Sequence, residues 1–154
     1  MIIVSACLAG VNCRYDGQSR ECGGIVELVK QGKALPLCPE VLGGRKTPRP
    51  AVEITGGGGE DVLAGNAEIR EQDGTDVTGQ MMEGADRVLA TAVRTGVKAA
   101  ILKDKSPACG NGRIYDGTFS GKLVKGSGVL AAALIKNGIK VYNEYNYKEI
   151  LDTL

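Results

Sequence analysis

Short apolar runs alternate with segments of helical periodicity along this chain, and that alternation constrains its fold more than any other feature. The apolar runs predicted to form strands are Ile2–Val4, Ala34–Leu37, Val97–Leu102 and Ile139–Tyr142. The helical segments are Ile25–Lys30, a stretch between a Thr78 N-cap and a Gly96 C-cap, Gly126–Asn137 and Tyr147–Leu151. Strands that alternate with helices favour a parallel sheet with helices on both faces. We therefore predict the α/β class, as a single three-layer α/β/α domain over residues 1–154 with a mainly parallel sheet.

Glycine interrupts this pattern at two places. Ala51–Ile54 alternates weakly and is predicted as an edge strand, and the run Gly56–Gly59 after it is predicted as a flexible loop tip. That run is not a phosphate loop, because neither Lys-Ser nor Lys-Thr follows it. Ser127 is the predicted cap of the helix Gly126–Asn137.

Composition excludes several classes of function. The 154 residues are 43% hydrophobic and 24% charged with a net charge of +1, so no strong field draws the chain to nucleic acid or to a membrane surface. No apolar run approaches the roughly 20 residues of a membrane span, and no basic leader precedes one. We expect a cytoplasmic protein that binds neither a nucleic-acid duplex nor a membrane.

The cysteine content points to a metal rather than to disulfides. The chain has five Cys and no His, and a reducing compartment disfavours structural disulfides. The odd count also prevents complete internal pairing. Without histidine, most zinc enzymes and every Cys–His nucleophile pair are excluded. Any metal site must therefore use thiolates and carboxylates.

Three cysteines follow predicted strands. Cys7 follows Ile2–Val4, Cys38 follows Ala34–Leu37, and Cys109 follows Val97–Leu102 after a short loop. The carboxyl ends of parallel strands share one edge of a sheet, so these thiols are expected to converge there. A cubane iron–sulfur cluster is normally held by four cysteines, so three would leave one iron open for chemistry. The alternative is that each cysteine is buried as a small hydrophobe.

The other two cysteines carry less information. Cys13 lies in the first loop and could approach the same edge, and Cys22 precedes the first helix. Both are predicted to be structural or incidental.

Polar residues near the three cysteines are candidates for catalysis and binding. Glu40 comes two residues after Cys38 and could carry a proton at a dry metal site. Ser106 lies three residues before Cys109 and could orient a carbonyl group or a water. The charged residues that could contact substrate are Arg14, Asp16, Arg49 and Lys103, and the alternative for these four is that they are solvated loop charges.

Several short motifs occur in a fixed order and span most of the chain. They are Ser5-Ala6-Cys7-Leu8-Ala9-Gly10, Arg14-Tyr15-Asp16-Gly17, Cys38-Pro39-Glu40-Val41 with Gly43-Gly44, Pro48-Arg49-Pro50 with Glu53, and Lys103 with Ser106-Pro107 and Cys109-Gly110. Taken together, they resemble the thiouracil desulfidase family, small iron–sulfur proteins long described as a domain of unknown function.

The resemblance implies a [4Fe–4S] cluster bound by Cys7, Cys38 and Cys109. It also implies that the fourth iron binds the sulfur of a thiolated pyrimidine and that desulfuration is non-redox, with Glu40 and Ser106 as assisting catalytic residues. The expected partner is therefore a small thiolated substrate such as thiouracil.

Two other classes of protein remain open from the sequence. One holds a thiolate zinc site, or a plain cluster, in a structural or sensing role. The other is a cofactor-free α/β binding module for a small nucleotide-like ligand, in which the cysteines belong to the core.

Overall fold

A computed structural model describes residues 1–154 as alternating strands and helices. The strands are β1 Ile2–Ser5, β2 Ala34–Leu37, β3 Val52–Thr55, β4 Glu68–Glu71, β5 Ala99–Ile101, β6 Asn111–Tyr115, β7 Leu123–Ser127 and β8 Lys140–Tyr142. The α-helices are α1 Gly23–Lys30, α2 Pro39–Leu42, α3 Gly59–Leu63, α4 Thr78–Thr95 and α5 Val129–Lys136, and two 3-10 helices cover Ala6–Ala9 and Tyr147–Thr153. None of the helices combines the length with the apolar composition that spanning a bilayer requires.

Four of the strands form one parallel sheet in the order β2-β1-β5-β8. Ile3 in β1 lies opposite Leu35 on one side and opposite Ala100 on the other. All of β1 is buried, as its continuous apolar character predicts. The chain runs from β1 to β2 on one side and reaches β5 on the other side, so β1 and β5 flank the point at which the strand order reverses.

Helices cover both faces of this sheet. Ile3 packs into an apolar cluster with α4 and α5, whereas Ile2 and Val4 pack into a second cluster with α1 and the C-terminal 3-10 helix. Successive side chains of a strand point to opposite faces, which explains why β1 contributes to both clusters. The predicted α/β/α layering with a mainly parallel sheet is confirmed.

The long central helix agrees with its predicted pattern. The buried face of α4 consists of Met81, Gly84, Ala85, Val88 and Ala92, and Gly96 follows the helix in the left-handed region at φ 71°. The cap prediction is wrong at the other end, because the helix begins at Thr78 and Val77 takes the N-cap position. The Thr78 hydroxyl instead accepts a hydrogen bond from the Ile69 N–H at 2.9 Å, which attaches the start of the helix to β4.

Two antiparallel hairpins lie outside the main sheet. β3 pairs with β4 in a two-stranded sheet, so the strand predicted at Ala51–Ile54 is present, displaced by one residue to Val52–Thr55 and separate from the parallel sheet. β6 pairs with β7, a hairpin that the apolar pattern does not reveal because most of its residues are exposed or half-buried. Gly126–Ser127 end β7, so the predicted helix begins only at Val129, with Gly128 rather than Ser127 at its cap.

Two other predictions are corrected at shorter elements. Gly59 is buried at the start of α3, where a Cβ atom would lie 2.3 Å from the carbonyl oxygen of Gly128, so the end of the Gly56–Gly59 run is packed rather than a flexible tip. The predicted terminal helix Tyr147–Leu151 is a 3-10 helix that continues to Thr153.

Two glycines allow α2 to lie directly on α4. A Cβ atom at Gly84 would lie 1.8 Å from the carbonyl oxygen of Pro39, and one at Gly43 would lie 2.0 Å from that of Gln80. No side chain larger than hydrogen fits between these backbones without moving them. Cys38 is the N-cap residue of α2, so this contact also fixes the position of that cysteine.

We predict that Gly84→Ala lowers the free energy of unfolding by about 1–3 kcal/mol, because the added methyl group forces the two backbones apart. Gly79→Ala in the same helix is the matched control, since nothing lies within 4 Å of a Cβ atom there. Alanine at that position raises the free energy of unfolding by up to about 1 kcal/mol. Urea unfolding measures both, and equal stability of the two variants would contradict the packing argument.

Candidate functional site

A cavity of about 450 Å³ opens at the carboxyl edge of the parallel sheet. Its walls include the three predicted cluster ligands, Cys7, Cys38 and Cys109, and the two predicted catalytic residues, Glu40 and Ser106. Cys7 lies in the 3-10 helix directly after β1, and Cys38 directly follows β2. The structure thus brings these residues together at the edge where α/β proteins bind their ligands.

The loop that carries Cys109 is held by its own serine. The Ser106 hydroxyl oxygen accepts hydrogen bonds from the N–H groups of Ala108 and Cys109, each at 3.1 Å. The first N–H of α5, that of Val129, donates to the carbonyl oxygen of Pro107 at 2.8 Å. Because two N–H groups occupy the lone pairs of the Ser106 oxygen, the hydroxyl group can interact with a molecule in the cavity only by donating its proton in a hydrogen bond.

Burial and negative charge disfavour the thiolate forms of the three strand-end cysteines. Burial, followed by the charge of Glu40, raises the pKa of the Cys7 thiol to about 11 and raises that of Cys109 as well. The pKa of Cys38 is raised first by its hydrogen bond with Cys13, then by burial and by Glu40. Thiolates at these positions therefore need positive charge beside them, which bound iron would supply.

Cys13 also lines this cavity, at the edge that the sequence indicated it could approach, although its predicted role is structural or incidental. Its side chain is only 6% exposed, and its backbone carbonyl lies 3.8 Å from the Cys38 sulfur. A side-chain hydrogen bond between the Cys38 and Cys13 thiols lowers the pKa of the Cys13 thiol. Cys22 lies elsewhere, with its sulfur 3.8 Å from the Tyr147 hydroxyl.

An arginine fixes the candidate acid–base residue. Arg49 Nη2 lies 3.0 Å from Glu40 Oε2 and also donates to the carbonyl oxygen of Cys13 at 2.9 Å. The backbone N–H of Arg49 donates to the carbonyl oxygen of Tyr15 at 2.8 Å. This bond joins the loop that carries Arg49 to the loop that carries Tyr15. The Arg49 side chain is 5% exposed and that of Glu40 is 19% exposed. The other oxygen of Glu40, Oε1, accepts no hydrogen bond within the chain.

The remaining charged candidates divide into two groups. Arg14 and Lys103 line the cavity together with Arg49, and the Lys103 ammonium group pairs with Glu144 at 2.9 Å. Asp16 is not part of the cavity wall and lies 3.8 Å from Arg20.

Glu53 belongs to one of the ordered sequence motifs, but no role is predicted for it there. It is 8% exposed and lines the cavity from β3. One carboxylate oxygen, Oε1, accepts hydrogen bonds from the N–H groups of Gly117 at 2.9 Å and Phe119 at 3.2 Å. Two sequence signals mark it: its place in the motif with Pro48-Arg49-Pro50, and a charged residue within the short strand Val52–Thr55.

The thiols do not gather around a single ion. No three Cys, Asp or Glu side chains converge on one position that a single metal ion could take. A zinc ion needs its ligands at about 2.0–2.3 Å from one centre, whereas a cubane cluster binds each thiolate through a different iron. Three thiols carried by separate segments are the kind of ligand that a cluster uses.

We predict that Ser106→Ala lowers the free energy of unfolding by about 1–3 kcal/mol, because the N–H groups of buried Ala108 and Cys109 lose their acceptor. Ser106→Thr keeps the hydroxyl oxygen and serves as the conservative variant. The exposed Ser120→Ala is the surface control, with an expected change within about 0.5 kcal/mol. Chemical denaturation measures all three, and wild-type stability of Ser106→Ala would contradict the positioning role.

Comparison with known proteins agrees with this geometry. The solved structure of a protein described as the [4Fe-4S]-dependent thiouracil desulfidase TudS superposes with a TM-score of 0.86 at 40% sequence identity, covering 99% of this chain and 95% of that one. Among curated proteins, the uncharacterized protein YbbK of Bacillus subtilis (strain 168) is 51% identical over 151 residues, which is 98% of this chain and 100% of YbbK.

A family model extends the agreement along the chain. The model of the 2-thiouracil desulfurase family matches residues 2–146. This match confirms the resemblance that the cysteine, glutamate and serine motifs indicate. The chain therefore belongs to the 2-thiouracil desulfurase family, which is a family of enzymes.

Proposed function

We propose that this chain uses a [4Fe–4S] cluster held by Cys7, Cys38 and Cys109 to remove sulfur from a thiolated pyrimidine such as thiouracil without net redox change. The observation that carries the proposal is the meeting of these three strand-end cysteines with Glu40 and Ser106 in one cavity. The cavity of about 450 Å³ lies within the range of small-molecule sites.

The residues present fit such a cluster. Three thiols come from separate segments, and the charge of Glu40 raises the pKa of each of them. Ligation by iron requires deprotonated thiols, so cluster binding would release protons and neutralise this crowding of negative charge. When bound, the cluster supplies a Lewis-acidic iron with an open coordination position that suits a soft thiocarbonyl sulfur.

Glu40 is the proposed proton carrier. Its Oε1 atom accepts no hydrogen bond within the chain, while Arg49 holds Oε2 at 3.0 Å. Oε1 takes a proton from the water whose oxygen forms the new bond to the thiocarbonyl carbon. The carbon–sulfur bond then breaks with its electron pair on sulfur, and the carbonyl forms as the new hydroxyl group loses its proton. That proton and the one held by Glu40 both end on the departing sulfide. One water is consumed, and the products are the oxo-pyrimidine and hydrogen sulfide.

Ser106 is the proposed donor of a hydrogen bond. Both of its lone pairs are used by the N–H groups of Ala108 and Cys109, so its proton points toward an acceptor in the cavity. A ring carbonyl oxygen or the attacking water is such an acceptor. The same contacts make Ser106 a support for the Cys109 loop.

The central experiment is anaerobic reconstitution with iron and sulfide, followed by assays with 2-thiouracil and 4-thiouracil. We expect a brown protein with about four irons per chain that releases sulfide from at least one of the two. A colourless, iron-free protein that binds small pyrimidines would favour the binding-module alternative. A cluster without sulfide release would favour a structural or sensing role.

We predict that Cys7→Ser, Cys38→Ser and Cys109→Ser each lose most of the bound iron, because a hydroxyl is a harder and far less acidic ligand than a thiol. Cys22→Ser is the control outside the cavity and keeps the wild-type iron content. Cys13→Ser is expected to keep both the cluster and the activity. Iron analysis and the visible absorption band measure the effect, and loss of the cluster in Cys13→Ser would overturn the choice of ligands.

We predict that Glu40→Gln keeps its iron content and lowers turnover by ~10²–10⁴-fold, because glutamine can still accept the Arg49 hydrogen bond but cannot carry a proton. Glu27→Gln on the exposed side of α1 is the matched control and leaves turnover unchanged. Sulfide release under saturating 2-thiouracil is the measurement. Full activity of Glu40→Gln would remove Glu40 from the mechanism and leave the cluster assignment standing.

A further inference from the structure

Glu53 is a buried carboxylate without a cation. Its side chain is 8% exposed, and it forms no ion pair with any lysine or arginine of the chain. A buried charge is costly unless hydrogen bonds or an opposite charge compensate it. The other two carboxylates of the cavity wall are compensated, Glu40 by Arg49 at 3.0 Å and Asp104 by Arg113 at 2.8 Å.

Only one of the two oxygens of the Glu53 carboxylate accepts hydrogen bonds. Oε1 accepts the N–H groups of Gly117 and Phe119, whereas Oε2 accepts no hydrogen bond in the chain. Arg45 Nε is the only side-chain nitrogen or oxygen that is both sealed from solvent and without a hydrogen-bond partner. Glu53 Oε2 also lacks a partner, so it is not sealed from solvent. Glu53 is also one of the residues that line the cavity.

An open, buried carboxylate oxygen selects for hydrogen-bond donors. It accepts N–H groups through charge-assisted hydrogen bonds and repels ligand carbonyl or thiocarbonyl groups. A neutral thiolated pyrimidine carries ring N–H groups next to its thiocarbonyl carbon, and these donors need an acceptor when the ring is desolvated. Glu53 is the cavity carboxylate with an oxygen left for them and no cation beside it.

We propose that Glu53 Oε2 accepts a ring N–H of the substrate and so makes this site specific for pyrimidines that are unsubstituted at that nitrogen. This inference rests on the proposed function and adds to it a residue that touches the substrate but takes no part in proton transfer. A substrate that carries an alkyl group or a sugar on the contacted nitrogen presents no donor and leaves the buried carboxylate unpaired. Such a penalty gives stronger discrimination than the loss of an apolar contact.

The diagnostic variant is Glu53→Gln. The carbonyl oxygen of glutamine can keep the hydrogen bonds from Gly117 and Phe119, which preserves the link between the β3–β4 and β6–β7 hairpins. Its NH₂ group then replaces Oε2 and offers a donor where the substrate also offers one. Glu68→Gln on the neighbouring strand β4 is the matched control, since Glu68 is exposed and lies outside the cavity wall.

The test compares 2-thiouracil, 1-methyl-2-thiouracil and 3-methyl-2-thiouracil on the cluster-loaded wild type and both variants. In the wild type and in Glu68→Gln, one of the two methylated compounds is expected to have a much lower kcat/KM than 2-thiouracil. In Glu53→Gln, kcat/KM for 2-thiouracil falls roughly tenfold to hundredfold, as expected for a lost hydrogen bond to a charged group. The ratio of kcat/KM for 2-thiouracil to kcat/KM for that methylated compound also falls.

Binding of uracil supplies a readout that does not depend on turnover. Uracil keeps the ring N–H groups of 2-thiouracil, so calorimetry on the cluster-loaded protein should show weaker binding to Glu53→Gln than to Glu68→Gln. If Glu53→Gln keeps the wild-type preference between the methylated and unmethylated compounds and binds uracil normally, the recognition role is wrong and Glu53 only joins the hairpins. Failure of the wild type to release sulfide would instead refute the proposed function.

Discussion

Parallel pairing of β1 with β2 on one side and β5 on the other is the constraint on which the site depends. Ile3 lies between Leu35 and Ala100, so the three strands end side by side at one edge. Cys7 and Cys38 come directly after two of these strands, and the loop after β5 brings Cys109 to the same cavity. Residues separated by dozens of positions in the sequence therefore meet without any compact binding motif.

The sequence predicts the sheet well because its strands are short, largely apolar runs, and the central strand β1 is buried along its whole length. The β6–β7 hairpin has no such signal, since residues such as Arg113 and Lys125 face solvent and the strands are held by their own ladder. The convergence of the three strand-end cysteines follows from topology and could be predicted. For Cys13 the sequence indicates only that it could approach the same edge, because its position depends on the path of an irregular loop.

The chain itself fixes several side chains of the cavity wall through hydrogen bonds. Arg49 holds Glu40 and the backbone of the Cys13 loop, so one guanidinium group sets the position of a carboxylate and of a neighbouring thiol. Ser106 does the same for the Cys109 loop through two backbone N–H groups. These supports come from the chain itself and restrict the side chains before any ligand arrives, which lowers the entropic cost of organising the site.

The wall that carries Glu53 belongs to a two-stranded sheet that shares no strand with the parallel sheet. Cys7, Cys38 and Glu40 thus lie on elements attached to the parallel sheet, whereas Glu53 lies on a separate hairpin. Sequence change in the hairpin alters the shape and polarity of the cavity without moving the strand ends. Substitutions confined to the hairpin are therefore expected to change which small molecules fit the cavity while the positions of Cys7 and Cys38 stay as they are.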